Sequence, residues 1–362
     1  MGRHDVSTAG GTAAVGVRQI REMNDEAALS ALLRRGRATA GELSSELGLS
    51  RPTSYALLSR LEAAGLVVET GRRGGRTGPR AKVYEVAPGL NQIVGIELSS
   101  TRITVAVADL VDLVECAGRP LATASWPLLE REPEAVARLA GALVRRLSGS
   151  LPAGGRAVRH AVVGLEAVLD PETNAVTSAV VPEWEKPRFR ELLARELRSE
   201  VTFARGTELA AIAENTEGVA RGAGSCVLFT AGERVGVAVS VDGVVRRGAR
   251  GRAGDVGRVP LFSAGELSRR YGAGVAAVLA PVVVVLDPEI VVLAGPLCAA
   301  GGEVLRGEVE RDLRGLLPSV PRVLLSRLGD QAVLRGALHV GRRHARESVY
   351  ETARVYALSS GR

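Results

Sequence analysis

TAGELSSELGLSRPTSYALLSRLEAAGLVVETGRRGGRTGPRAKVY, residues Thr39–Tyr84, decides how the chain is organised. It reads as two short helices, a tight turn and a basic β-hairpin, the order of a winged helix-turn-helix. Thr39 opens the first helix, with Glu42 as its capping-box partner and Leu43 and Leu47 as its core stripe. Gly48 supplies the break and Leu49 packs under the turn. Ser50 caps the next helix, with Pro52 in its first turn, where a missing N–H costs nothing. Leu57, Leu58, Leu61 and Ala64 form the buried face of that helix and Gly65 ends it. LVVETGRRGGRTGPRAKVYEV then alternates as a hairpin, Leu66–Thr70 pairing with Val83–Val86 around a Gly-rich tip.

In this geometry the first turn and outward face of the second helix meet base edges in the major groove. Arg51, Thr53, Tyr55 and Ser59 are the expected readers, and Arg60 is expected on a phosphate. Between Gly71 and Lys82 stand Arg72, Arg73, Arg76, Arg80 and Lys82, with no acid among them. These wing cations would contact the DNA backbone or minor groove, giving affinity without much sequence choice. The bland alternative is a helical bundle with a solvated charged hairpin. The helix lengths, turn, cap and wing all occur in the right order, and that agreement argues against it.

Upstream, residues 1–20 are small, Gly-rich and aperiodic, and read as a disordered N-terminus. A helix capped by Asn24 or Asp25 is expected through Ala27, Leu29, Leu32 and Leu33, ending near Gly36. The DNA-reading domain is thus placed at 21–88, with Ala87-Pro88-Gly89 as its boundary. A larger domain is expected over 91–343, and 344–362 read as a flexible tail.

At 362 residues the chain is long enough for two or three domains, each burying its own core. Hydrophobic content of 46% and a mean hydropathy of +0.12 suit a globular protein. No apolar run reaches the eighteen or so residues that span a bilayer. The longest, around Val275–Leu286, is interrupted by Pro281 and reads as a helix followed by a buried strand. No signal-peptide core opens the chain, so the cytoplasm is the expected compartment. Cys116, Cys226 and Cys298 lack CxxC spacing and read as reduced core residues. His4, His160, His339 and His344 show no metal or catalytic spacing, and Trp126 and Trp184 read as packing residues. The net charge of +7 and pI near 9.9 permit nucleic-acid binding. Only Lys82 and Lys186 are lysines, so this charge partly follows arginine-rich composition, and the clusters carry the argument.

From Asn91 strands and helices alternate. QIVGIEL, ITVAVADL and LVECAG read as consecutive strands, followed by a helix at Pro133–Leu147 and a strand at Ala157–Leu165 continuing to Leu169. A helix (Arg188–Leu197), a strand (Val201–Ala204) and a helix (Glu208–Thr216) come next. A second strand cluster covers Ser225–Thr230, Arg234–Val241 and Val244–Arg247. A helix from Ala264 to Leu279, a strand at Ile290–Leu293, a helix at Gly301–Leu316, a strand at Arg322–Leu325 and a final helix from Asp330 complete the series. A strand meander followed by βα units, occurring twice, is the α/β pattern of two similar lobes.

Within that domain VGIELSSTRITVAVADL resembles the first phosphate-loop segment of the ROK family (repressors, open reading frames and sugar kinases), where Asp-x-Gly-Gly-Thr lies between two strands. VVGLEAVLDPETNAV with VVPEW resembles the family's next signature, and ELAAIAENTEG the helix after its catalytic Asn-Asp pair. ARGRAGDVGR resembles its Gly-Glu-x-Gly-His segment, VVVVLDPEIVVLAGPL its late strand and adenosine-side loop, and SRLGDQAVLRGALHVG its closing helix. The resemblance covers roughly Asn91–Gly341 and implies a two-lobed, actin-like sugar-kinase fold. With the winged helix in front, the whole chain is similar to ROK transcriptional regulators, which usually repress sugar-use operons.

The departures from the pattern are informative. The phosphate loop reads Glu97-Leu98-Ser99-Ser100-Thr101, with serines at both glycine positions. The family's catalytic Asp aligns with Gly206 and its Asn with Arg205; glycine cannot accept a proton, which argues against phosphoryl transfer. The second phosphate loop, TAGERVGVAV, carries Glu233 and Arg234 where small residues are expected. Arg258 stands at the position of the zinc-binding His and no cysteine follows nearby, so neither a metal nor any other cofactor is expected. The interval Val259–Val285 is short for the family, consistent with loss of its Cys-rich loop and an adjoining helical segment.

Asp255 stands where the family's sugar-contacting Glu would be, and Glu97, Ser99, Ser100, Thr101, Arg205, Glu208, Asp255 and Arg258 form the candidate effector cleft. The two arginines would suit an anionic ligand such as a sugar phosphate; the competing reading is that they form internal salt bridges in a vestigial cleft. The expectation is a cytoplasmic, non-enzymatic DNA-binding regulator acting as a repressor, with the large domain for dimerisation and effector sensing. As a homodimer or higher oligomer it would read a roughly palindromic operator. The alternatives are a sugar kinase with a DNA-binding appendage and a ligand-independent DNA-binding protein.

Overall fold

The structure, a computed structural model, describes residues 9–74, 80–87, 92–110, 122–150, 158–170, 172–173, 175–178, 180–186, 188–232, 234–258 and 271–359. The chain divides into two units, one formed by Met1–Gln92, Asp109–Cys116 and Arg342–Arg362 and the other by Ile93–Ala108 and Ala117–Gly341.

The first unit runs α1 (Ala9–Arg35), β1 (Arg37–Thr39), α2 (Ala40–Leu47), α3 (Arg51–Ala63), β2 (Val67–Arg73) and β3 (Ala81–Val86). Ala28, Leu29, Leu32 and Leu33 of α1, Leu43 of α2, and Leu57, Leu58 and Leu61 of α3 are buried, each helix turning its apolar stripe inward. Two features differ from the sequence reading. Helix α1 begins at Ala9, so Asn24 and Asp25 are interior residues and not caps. Asp25 is tolerated there because its carboxylate is taken up by an arginine of α3. Strand β1 was not anticipated; it pairs antiparallel with β3, giving a sheet of order β1-β3-β2. Its three residues are too few to leave a period-2 signature.

The second unit contains two five-stranded sheets. The first has the order β10-β7-β4-β5-β6, from β4 (Gln92–Leu98), β5 (Arg102–Asp109), β6 (Ala122–Pro127), β7 (Val158–Leu165) and β10 (Glu200–Arg205). The second has the order β13-β12-β11-β14-β15, from β11 (Ser225–Ala231), β12 (Val235–Val241), β13 (Val244–Val245), β14 (Ile290–Ala294) and β15 (Arg322–Leu325). Read from opposite ends the two orders are identical, which is the duplicated lobe expected from the sequence. A small ribbon, β8 (Val168–Leu169) with β9 (Val176–Thr177), stands beside the first sheet. The expected strand LVECAG lies outside the described residues.

One face of the first sheet packs against α4 (Pro133–Gly149) and α5 (Arg188–Leu197), with Val136, Ala140, Val144, Phe189 and Leu193 in the core. One face of the second packs against α7 (Tyr271–Leu286) and α8 (Pro296–Leu316), through residues such as Ala276, Leu279, Leu305 and Val309. Ala210 and Ala211 of α6 (Gly206–Glu217) join the opposite face of the second sheet, and Ala337 and Val340 of α9 (Ala332–Ser359) join Val162 of the first.

Two further expectations are corrected. The stretch Val275–Leu286 is one helix through Pro281, not a helix and a strand. Val275, Ala276, Val278, Leu279 and Val283 are buried at helical spacing, while Pro281 is exposed, so its missing N–H falls on the solvent side. The residues after His344 continue α9 to Ser359, where a flexible tail was expected. Ala345, Val349 and Ala353 recur every four residues and are buried, and Arg354 pairs with Glu26 at 2.5 Å, tying this half of the helix to α1. No helix among the described residues is long and apolar enough to cross a membrane.

Gly336 of α9 lies so close to α6 that a Cβ there would sit 1.9 Å from the Leu209 carbonyl oxygen. Gly336→Ala should therefore destabilise the protein by roughly 3 kcal/mol in chemical denaturation. Gly315→Ala in α8, where a Cβ meets nothing within 4 Å, should stabilise by about 0.5 kcal/mol.

Candidate nucleic-acid interface and cleft

The reading head is built as its caps dictate. Glu42 donates its backbone N–H to Thr39 Oγ1 at 3.2 Å, and Glu42 Oε2 accepts the Thr39 N–H at 2.7 Å, completing the capping box. Gly48 takes φ 67°, the left-handed turn between the helices. Ser50 Oγ accepts the Thr53 N–H at 3.2 Å and Pro52 sits in the first turn of α3. These caps fix where α3 starts and hence which residues face outward. Arg51, Thr53, Tyr55 and Ser59 are all exposed, Tyr55 by 51%.

Arg60 is employed differently. Its Nη2 donates to Asp25 Oδ1 at 2.7 Å, with the Asp25 side chain 4% exposed. Burial raises the Asp25 carboxyl while the Arg60 hydrogen bond holds it down. The pair joins α1 to α3 inside the domain, so Arg60 is a structural residue and not a free phosphate contact.

The wing is less basic than its sequence reads. Glu69, just outside the acid-free stretch, accepts Lys82 Nζ at 2.7 Å and Arg72 Nε at 3.4 Å. Arg73 Nη1 lies 2.8 Å from Glu42. Hydrogen bonds from Lys82 and then Arg72 hold the Glu69 carboxyl below its ordinary range. Glu42 is likewise lowered, first by the Thr39 backbone N–H. Arg51 and Arg80 have no carboxylate partner among the described residues. Both line one concavity, together with Thr39, Ser45, Tyr55 and Lys82. Arg76 lies outside the described residues.

The second unit encloses a cavity of about 620 Å³. Of the expected cleft residues, Glu97, Ser99, Arg205 and Asp255 line it, while Ser100, Thr101 and Glu208 do not. The Arg258 side chain lies outside the described residues. Arg205 is buried and its Nη1 donates to the carbonyl of Ala253 at 2.6 Å. Its Nε is 4.0 Å from Glu208, which also receives Arg247 Nε at 3.0 Å. Arg234 Nη2 lies 3.5 Å from Asp255. At these arginines the geometry is that of internal ion pairs. Arg234, marked in the sequence as a departure in the second phosphate loop, also lines the cavity, as do Arg102, Glu166 and Asp330, whose local sequence does not separate them from surface charges.

Both loops that would cradle phosphate are occupied by their own polar groups. Ser99 Oγ accepts the N–H groups of Thr101 at 3.3 Å and Arg102 at 3.1 Å. Gly232 donates its N–H to the Arg234 carbonyl at 3.0 Å. Glu97, at the end of β4, is pushed up to about 7, first by burial and then by the charges of Glu166 and Asp330. Arg258 stands where the family resemblance implies a zinc-binding histidine, and an arginine does not suit zinc. Cys226 and Cys298 are buried, which pushes each thiol up to about 12.

A capped helix-turn-helix with a three-stranded wing sheet, joined to a duplicated α/β body around a cleft, defines a winged-helix protein on a sugar-kinase-like scaffold. Residues 22–89 match the sugar-specific transcriptional regulator TrmB family and residues 93–267 match the ROK family. The chain joins a TrmB-type DNA-binding domain to a ROK domain. It is 21% identical over 245 residues to the xylose repressor of Caldicellulosiruptor bescii, an alignment spanning 67% of this chain but 59% of that protein. The fold is similar to that of a ROK family transcriptional regulator, a homologue of the E. coli MLC protein (TM-score 0.64, 17% identity, covering 94% of this chain and 100% of that one). It is also similar to the ROK hexokinase from Thermus thermophilus (TM-score 0.59, 23% identity, covering 71% and 99%).

Arg60→Ala should strand a buried carboxylate and destabilise the protein by about 3 kcal/mol in urea denaturation, whereas a pure phosphate contact would leave stability unchanged. Glu97, raised from 4.5 to about 7, favours the protonated form when folded, so stability should fall as pH rises from 4.5 through 7. Glu97→Gln should abolish that fall, on the order of 2–3 kcal/mol, in denaturation curves collected across this range.

Proposed function

We propose that this protein is a DNA-binding transcriptional repressor whose ROK unit senses a small molecule without catalysing phosphoryl transfer. The observation that carries the reading is the pair of exposed surfaces on the head. Arg51 and Tyr55 project from an α3 capped by Ser50, and Arg80 of the wing lines the same concavity; Glu42 and Glu46 also line it, but neither Arg51 nor Arg80 has a carboxylate partner among the described residues. A duplex with α3 in its major groove would lay a backbone strand along that concavity, with Thr53, Tyr55 and Ser59 toward the bases. Arg72, Arg73 and Lys82 would reach phosphates after exchanging their carboxylate partners for them.

The non-catalytic reading rests on the cleft. Gly206 stands at the position of the catalytic carboxylate, Arg205 beside it is tied to backbone carbonyls, and the phosphate-loop N–H groups are spent on Ser99. The matches to a xylose repressor and to an MLC homologue support a regulator of sugar use. A homodimer with two heads related by a two-fold axis would read a roughly palindromic operator in the cytoplasm.

The test is fluorescence anisotropy with an operator fragment found by genome-wide mapping of bound sites, between 50 and 200 mM salt. Replacing Arg51 and Arg80 together by Ala should weaken binding and reduce the slope of log K against log salt by about two. An unchanged slope overturns backbone contact at this concavity. A coupled ATP-consumption assay over a hexose panel should show no turnover; robust turnover overturns the non-catalytic assignment.

A further inference from the structure

The charges lining the ROK cavity are unevenly distributed, and their distribution specifies what can occupy it. Among the described residues three arginines line the cavity, Arg102, Arg205 and Arg234. Arg205 is held on the carbonyls of Ala253 at 2.6 Å and Gly251 at 3.5 Å, with Glu208 beside it. Arg234 is held by Asp255. Arg102 is exposed and donates to Ser125 Oγ at 3.0 Å. Thus two of these three already serve the fold, and an arriving anion would have to compete with carbonyl and carboxylate oxygens for them.

The opposite imbalance holds at the end of β4. Glu97, Glu166 and Asp330 all line the cavity there. Glu97 is mostly buried and has neither a cationic partner nor a hydrogen-bond donor among the described residues, and the charges acting on its carboxyl are those of Glu166 and Asp330. In the adjoining turn the N–H groups of Thr101 and Arg102 are donated to Ser99 Oγ and not to Glu97. A phosphate seated here would add charge to a site already carrying like charges. A cation would supply the partner that Glu97 lacks. At about 620 Å³ the cavity has the size of a small-molecule site, with Leu98, Leu165, Val235 and Val333 as apolar wall.

We infer that the ligand of this cleft is a small polar molecule carrying a protonated amine, seated against Glu97 between Glu166 and Asp330, and that the cleft rejects phosphorylated compounds. The inference rests on the reading of the ROK unit as a sensor. It reverses the anionic preference that Arg205 and Arg258 imply in the sequence. Because the amine binds the ionised form of Glu97, binding expels a proton, and affinity should rise between pH 6 and pH 8. Glu166 and Asp330 line the cavity with Glu97 and their charges act on it, and Arg102, Arg205, Arg234 and Asp255 line the rest.

The test is calorimetric titration of the full-length protein with glucosamine, glucose, glucose 6-phosphate and 1,4-diaminobutane at pH 6 and pH 8. At least one of the two amines should bind at least tenfold more tightly than glucose, more tightly at pH 8 than at pH 6, with glucose 6-phosphate giving no heat. Glu97→Gln should remove the tenfold preference and the pH dependence together. Preferential binding of glucose 6-phosphate, or an amine preference that survives Glu97→Gln, overturns the inference while leaving a sensing cleft in place. Absence of binding by all four probes overturns the sensor reading, and the inference with it.

Discussion

The second unit depends on backbones brought into near contact along α9. A Cβ at Gly336 would meet the Leu209 carbonyl of α6, and one at Gly95 would lie 3.2 Å from both Ala337 and the Leu334 carbonyl of α9. One at Gly164 would lie 2.8 Å from Val333. These missing side chains let a helix settle onto two strands of the first sheet and onto α6 at once, which larger residues would prevent. Val333 and Leu334 thereby become cavity wall, and Gly164 and Gly206 line the same space. The shape of the cleft is therefore a consequence of how closely α9 can approach.

Arginine serves two purposes in this protein, and separating them clarifies its function. Some guanidinium groups hold the fold: Arg60 neutralises the buried Asp25, Arg205 ties the chain at Gly251–Ala253, and Arg335 pairs with Glu217 at 3.2 Å. The fork of donors suits this work, since one side chain can satisfy several oxygens. Others stand free or in exposed pairs that solvent screens, and such pairs contribute little to stability. In the reading head this second set includes Arg51 and Arg80, and Arg72 and Arg73 in exposed pairs with Glu69 and Glu42. A phosphate can compete for an arginine of the second set at small cost, but for one of the first only by dismantling the domain.

The likeness to a ROK hexokinase is a likeness of fold. The duplicated strand order and the cleft persist. Serines stand where the resemblance implies phosphate-loop glycines, and Ser99 uses its hydroxyl to satisfy N–H groups of its own turn. These two N–H groups therefore have partners without a ligand. Replacing Gly by Ser here changes both the space in the loop and which groups remain open to a bound molecule.

The sequence alone determined the local elements whose signals are chemical and short-range. The Thr39–Glu42 capping box, the Gly48 turn, the Ser50 cap and the doubled strand-meander pattern were legible because each depends on residues a few positions apart. Tertiary structure decided what depends on partners far along the chain. Asp25 reads as a helix cap until Arg60, thirty-five residues on, is seen to hold it inside a longer helix. Pro281 reads as a break until the buried positions around it show a helical period and the proline itself faces solvent. The wing reads as fully basic until Glu69 and Glu42 are found against its cations. Glu97 reads as one residue of an altered loop until folding places Glu166 and Asp330 beside it and removes water. Charge identity is written in the sequence, but its strength depends on burial and neighbours, and those exist only once the chain has folded.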